Sequence, residues 1–177
     1  MKKTIGFDLD GVIYDFHRVA YEHLKFYHGV TQDFTTFWRE EQNGGRYFSE
    51  VFWENFLKIP ILYESTIIPE RDLDLLNELA NKYNIIYVTH RPPEIESATD
   101  AWFRNNKIPY RNNVYFSEDK SIPIIQNQCL YFVDDMIKNI ITLEKVTNAI
   151  LLKKVWHGKD YLNYTYIENL GDLKILL

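Results

Sequence analysis

The chain has 177 residues, with 20 Lys+Arg against 25 Asp+Glu, for a formal net charge of −5. That balance argues against a strongly basic nucleic-acid binder, and 46% apolar with 25% charged residues excludes a disordered chain. The single cysteine, Cys129, can form no internal disulfide, which fits a reduced, cytoplasmic setting. No apolar run approaches the roughly 18 residues needed to span a bilayer. The early acids Asp8 and Asp10 oppose a signal-peptide reading of the start, so no membrane partner is expected.

In chain order, residues 4–9 form a short apolar run that breaks into Asp8-Leu9-Asp10-Gly11, a buried strand ending in a polar turn. Residues 14–68 depart from the alternation of the rest of the chain. They read as helical, with a turn at Gly44-Gly45, and hold 14 of the chain's 28 aromatic residues. This stretch is expected to be an insert folded over the end of the first strand. Residues 70–83 space Leu73, Leu76, Leu79 and Ala80 as a helix does, with Pro69 just ahead. Residues 84–89 (Asn-Ile-Ile-Tyr-Val-Thr) read as a strand buried on both faces. A helix over 93–106, strands over 113–116 and 129–133, a helix over 136–144, a strand over 148–152 and a short helix over 170–177 complete the pattern. Strands alternating with helices predict an α/β fold, a Rossmann-like parallel sheet flanked by helices.

Ligands of such sheets bind beyond the carboxyl ends of the strands. The polar residues expected there are Asp8, Asp10, Thr89, Asp134 and Asp135. Asp8 and Asp10, spaced i, i+2, can point the same way, and Asp134-Asp135 would add two more carboxylates from a second strand. Unneutralised, they would repel one another and their pKa values would rise. A hard divalent cation such as Mg2+, which takes one or two carboxylates plus substrate phosphate, resolves this. One aspartate can then serve as nucleophile and another as general acid and base. The competing structural reading makes Asp8 and Asp10 a turn and Asp134 a helix cap.

Asp8-Leu9-Asp10-Gly11-Val12 resembles motif I of the haloacid dehalogenase (HAD) superfamily of phosphohydrolases. Val88-Thr89, then Lys120, then Val133-Asp134-Asp135 with Asn139 resemble motifs II, III and IV, in the family's order. The resemblance implies Asp8 as nucleophile and metal ligand, and Asp10 as general acid/base that binds the metal through its carbonyl. Thr89, helped by the His90 backbone N–H, would hold the phosphoryl group, and Lys120 would neutralise it. Asp135 would ligate Mg2+ directly with Asp134 close by, and Asn139 would support them. It also implies a HAD core over 1–13 and 69–177 and a small helical C1-type cap over 14–68.

Asp10-Gly11-Val12-Ile13-Tyr14-Asp15-Phe16, Phe52-Trp53 and Thr89-His90-Arg91-Pro92 are similar to the 5′-nucleotidase and 5′(3′)-deoxyribonucleotidase branch. His90 departs from the small residue frequent there. The implied substrate is a nucleoside monophosphate. Trp38, Phe48 and Trp53 are the rings expected to meet it, with Arg46 and Arg91 reaching its polar edge or phosphate. The other readings are a polynucleotide end-phosphatase, a small sugar-phosphate phosphatase, or a non-catalytic scaffold that binds Mg2+ and phosphate. No stable nucleic-acid partner is expected, and a homodimer is compatible with the sequence.

Overall fold

The computed structural model describes residues 2–42, 44 and 47–177. Gly45 of the expected glycine turn and the candidate Arg46 lie outside the described residues.

Six strands form one fully parallel sheet in the order β3-β2-β1-β4-β5-β6. They are β1 (Thr4–Phe7), β2 (Asn84–Thr89), β3 (Val114–Phe116), β4 (Cys129–Asp134), β5 (Asn148–Leu152) and β6 (Tyr166–Ile167). Ile5, Phe7, Ile85, Ile86, Tyr87, Val88, Phe132, Val133, Ile150 and Leu151 are all buried, which explains why these strands read as unbroken apolar runs. Between them run α4 (Glu70–Lys82), α5 (Glu96–Asn105), α6 (Ser121–Gln126) and α7 (Ile137–Leu143), and the chain ends in α8 (Leu173–Leu176). Helix α4 turns Leu75, Leu76 and Leu79 inward, with Glu70 and Asp72 in its first turn and Lys82 in its last, matching the helix dipole at both ends.

From β1 the chain lays β2 and β3 to one side and β4, β5 and β6 to the other. The strand order therefore reverses between β1 and β4, which is where an open α/β sheet forms its ligand crevice. The ladder continues past β1, with the Asp8 N–H donating to the Val133 carbonyl at 2.8 Å. The two strands thus end level, with Asp8 directly after β1 and Asp134 closing β4.

Between β1 and α4 lie α1 (Phe16–His28), α2 (Phe34–Gln42), α3 (Glu50–Phe56) and a 3₁₀ turn (Pro60–Tyr63). Rings hold this segment together. Tyr21 packs on Phe34 and Phe37, and Phe48 stacks on Phe52 at 4.3 Å. Its return to the sheet is fastened to α5. The Trp102 indole donates to the Thr66 carbonyl at 2.7 Å, and the Asn106 side chain accepts from the Ile68 N–H at 2.8 Å. The Tyr14 hydroxyl donates to the Leu62 carbonyl.

Three local expectations need correction. Strand β1 stops at Phe7, because Leu9 belongs to a tight turn whose carbonyl accepts from the N–H groups of Val12, Ile13 and Tyr14. Helix α6 was not expected, and Pro123 within it masks its short pattern. Strand β6, two residues long at the sheet edge, carries no periodicity to read. Among the described residues no helix is long and apolar enough to cross a membrane.

Gly6 sits opposite Phe132 in the β1–β4 register, and a Cβ there would lie 2.5 Å from the Phe132 ring. Gly6→Ala should therefore destabilise the fold by about 1–3 kcal/mol in urea unfolding, as overpacked cores do.

Candidate active site

Asp8 leaves β1 buried, and its Oδ1 accepts from the Leu9 N–H at 2.7 Å. The Lys120 ammonium lies 2.9 Å from the same oxygen and 2.7 Å from Asp134 Oδ2. Lys120 is itself buried at the start of α6. Burial alone would lower its pKa, but Asp8 and Asp134 outweigh burial and hold it above the usual lysine range. Burial pushes Asp8 well above the carboxylate range, Lys120 draws it down, and Asp134, Asp135 and Asp10 add repulsion.

The paired aspartates have different surroundings. Asp134 is fully engaged. Its Oδ1 accepts from the Met136 N–H at 2.8 Å, and the Asn139 amide reaches both oxygens at 3.1 Å. Asp135 is equally buried, yet neither of its carboxylate oxygens has a hydrogen-bond partner among the described residues. Burial pushes its pKa up to about 7. The His17 Nδ1 lies 3.7 Å from it, but burial lowers that imidazole to about 3 and so removes its charge at neutral pH. The Asp135 carbonyl is fixed by His157. The His157 Nδ1 accepts from the Lys154 N–H at 3.1 Å, so its Nε2 carries the proton that bonds the carbonyl at 2.9 Å.

Gly11 leaves the room that Asp135 occupies. Its φ is +85°, and a Cβ would stand 2.0 Å from Asp135 Oδ2. Asp8, Asp134 and Asp135 each bring one oxygen within 4.8 Å of the others. Three buried carboxylates face one ammonium, and two carboxylate oxygens lack partners among the described residues. This hard, all-oxygen donor set fits a divalent cation.

A cavity of about 240 Å³ opens on this cluster. It is lined by Asp8, Asp10 and Asp135, by Phe16, His17, Leu57 and Tyr63 from the stretch between β1 and α4, and by His90, Pro92, Lys138 and Asn139. Thr89 ends β2 fully buried, where its hydroxyl accepts from the Arg91 N–H at 3.1 Å. Lys120 and Asp134 likewise lie behind Asp8 rather than on the surface of the cavity.

Arg91 borders the cavity, but its guanidinium is turned to the protein. Its Nε and one terminal nitrogen donate to the two oxygens of Asp10 at 2.9 and 2.7 Å, and the other terminal nitrogen donates to the Thr99 hydroxyl at 2.9 Å. The aromatic expectation also needs correction. Trp38, Phe48 and Trp53 do not line the cavity. The Trp38 indole is buried and donates to the His17 carbonyl at 3.1 Å, the Trp53 indole donates to Glu41 at 2.7 Å, and Phe48 stacks on Phe52. Small helical layers need rings for their own core, and these three supply it. Phe16 and Tyr63, which do reach the cavity, were not singled out from the sequence. Their positions at the two ends of the insert, just after the Asp10 turn and just before the return to the sheet, were the available signal.

No family model matches the chain. A protein with a provisional nucleotidase name from Oceanobacillus iheyensis is 27% identical over 119 residues, covering 65% of this chain and 63% of that protein. A nucleotidase from Clostridium acetobutylicum is 26% identical over 94 residues, covering 52% and 49%. The match thus spans less than two thirds of either curated relative. Among solved structures, a haloacid dehalogenase-like family hydrolase from Streptococcus pneumoniae superposes with a TM-score of 0.71 at 18% identity, covering 99% of each chain. A HAD family hydrolase from Deinococcus radiodurans, with bound phosphate and sodium, gives 0.64 at 11% identity over 99% and 94%. The L-2-haloacid dehalogenase of Xanthobacter autotrophicus gives 0.60 at 13% over 99% and 98%. The chain has the fold of the HAD hydrolases.

The raised Asp135 carboxyl carries a sign for metal binding. Its protonated form stabilises the cation-free protein fully below the ordinary carboxylate range, and that stabilisation fades as pH rises through about 7. A cation must displace this proton below that point. A divalent cation held at this cluster would therefore raise Tm more at about pH 8 than at about pH 5.5, tested by differential scanning calorimetry with Mg2+ as the probe. Gly11→Ala, which drives Asp135 from its place, should remove the Mg2+ effect at both pH values.

Proposed function

We propose that the protein is a Mg2+-dependent phosphomonoester hydrolase that works through an aspartyl-phosphate on Asp8. The observation that carries this reading is a buried nucleophile-type carboxylate, Asp8, lining a cavity beside a second carboxylate, Asp135, whose two oxygens have no hydrogen-bond partner among the described residues. The nucleotidase names of the two sequence relatives and the phosphate bound by a structural neighbour support it.

On this reading Asp8 attacks the phosphorus and the P–O ester bond breaks. The leaving oxygen takes a proton from Asp10. Asp10 then accepts a proton from water as the water attacks the phosphorus, and inorganic phosphate and free Asp8 result. Lys120 holds Asp8 in place and offsets charge on the transferring group. Thr89 and the His90 N–H are assigned to its oxygens. Asp8, Asp135 and the Asp10 carbonyl would hold Mg2+, which supplies further charge neutralisation at the phosphoryl group. Asp134, saturated by Lys120, Asn139 and the Met136 N–H, serves as the anchor of the cluster.

The segment 14–68 is assigned as a cap on a core of 1–13 and 69–177. It contributes Phe16, His17, Leu57 and Tyr63 to the cavity wall. That apolar wall suits the ring-bearing part of a nucleoside monophosphate, since base–aromatic stacking contributes about 1–3 kcal/mol per base.

Purified protein with Mg2+ should release phosphate from a panel of nucleoside monophosphates. Asp8→Asn should lower that release by about three orders of magnitude or more while leaving the circular dichroism spectrum unchanged. Full activity in Asp8→Asn would overturn the mechanism.

A further inference from the structure

We propose that Arg91 is a positioning residue for Asp10. It aims the carboxylate that serves as acid and base, and it is not a ligand for the substrate's phosphate. The inference rests on the phosphatase reading above and extends it to a residue that the reading leaves without a role.

A guanidinium has five N–H donors in a fixed fork. In Arg91 two of its nitrogens grip the two oxygens of Asp10, and the third bonds Thr99. The side chain is 0% exposed, so no donor faces solvent. Two rings also pack against it: the Tyr63 centroid lies 4.5 Å and the Tyr14 centroid 5.0 Å from the guanidinium carbon. The backbone is held by the Arg91 N–H on Thr89, and the following Pro92 restricts Arg91 to extended conformations. Arg91 is thus held by Asp10, Thr99, the Thr89 hydroxyl and two rings before any substrate arrives.

Asp10 presents the opposite picture. Its side chain is 23% exposed and lines the cavity. Each of its oxygens accepts one N–H from the fork, which leaves each an outward lone pair. A bidentate pair sets the plane of the carboxylate as well as its position. Arg91 therefore determines where the free lone pairs of Asp10 point, and proton transfer requires hydrogen-bond geometry to the ester oxygen and then to water. Tyr63 belongs to the inserted segment, so the aim of Asp10 also depends on the insert being seated.

Leaving-group chemistry separates this role from others. A nucleoside leaves as an alkoxide that needs a proton. The p-nitrophenolate leaving group needs far less help. Arg91→Lys keeps the charge and loses the fork. It should lower kcat for a nucleoside monophosphate about 100-fold with KM within a few-fold, and lower kcat for p-nitrophenyl phosphate by less than about 10-fold. In an Asp10→Ala background, Arg91→Lys should change neither substrate further, because the group it aims is gone. Should Arg91→Lys fold poorly, Thr99→Val, which frees one edge of the fork, should shift the two substrates unequally in the same direction by a smaller factor. A raised KM with unchanged kcat would make Arg91 a substrate ligand and overturn the proposal. Equal losses on both esters, or a further loss in the Asp10→Ala background, would overturn it too. Turnover of neither ester by the unmodified protein would instead overturn the phosphatase reading, and the role of Arg91 with it.

Discussion

Asp8, Asp134 and Asp135 are buried within a few ångströms of one another, and Lys120 sets its ammonium between the first two. Charges in such a place cost several kcal/mol each unless neutralised and hydrogen-bonded. The surrounding structure answers that constraint unevenly. Lys120, Asn139 and the Met136 N–H satisfy Asp134, Lys120 and the Leu9 N–H satisfy Asp8, and Asp135 is left with open oxygens. The imbalance is located on one side chain, which lines the same cavity as Asp8 and Asp10.

Several features of the fold make that convergence attainable. The reversal of strand order places the ends of β1 and β4 side by side, and the Asp8–Val133 hydrogen bond keeps them level. Gly11 clears the volume that Asp135 fills. His157, far along the chain, pins the Asp135 carbonyl from the opposite side. The segment between β1 and α4 brings Phe16 and Tyr63 to the cavity that Asp8 and Asp10 line, and Arg91 packs on Tyr63 while it grips Asp10. The contacts around these carboxylates come from the start of α6, through Lys120, and the first turn of α7, through the Met136 N–H and Asn139, so separate elements are tied into one network.

The sheet was legible because parallel strands buried on both faces leave uninterrupted apolar runs, as in Asn-Ile-Ile-Tyr-Val-Thr of β2. The convergence of acids was legible because the runs of β1 and β4 each break into aspartates. What the sequence could not convey was pairing. Arg91 follows Thr89 by two residues, which suggested a phosphate contact, but its partner lies 81 residues away in the Asp10 turn. Composition located an aromatic excess in the insert without saying which rings face the cavity. Trp38 and Trp53 serve in packing, with each indole N–H tied to a neighbour. His157 carries no pattern that assigns it a role, since nothing local hints at a contact with the backbone 22 residues earlier.

A covalent bond between Asp8 and the phosphoryl group is the central claim of the mechanism. The most direct measurement is acid quenching of the enzyme during turnover of a nucleoside monophosphate with Mg2+, followed by peptide mapping by mass spectrometry. A phosphoryl increment on the peptide holding Asp8, lost on treatment with hydroxylamine, is the predicted result. Steady turnover with no phosphoryl group on Asp8 at any quench time, or with the group on another residue, would contradict it.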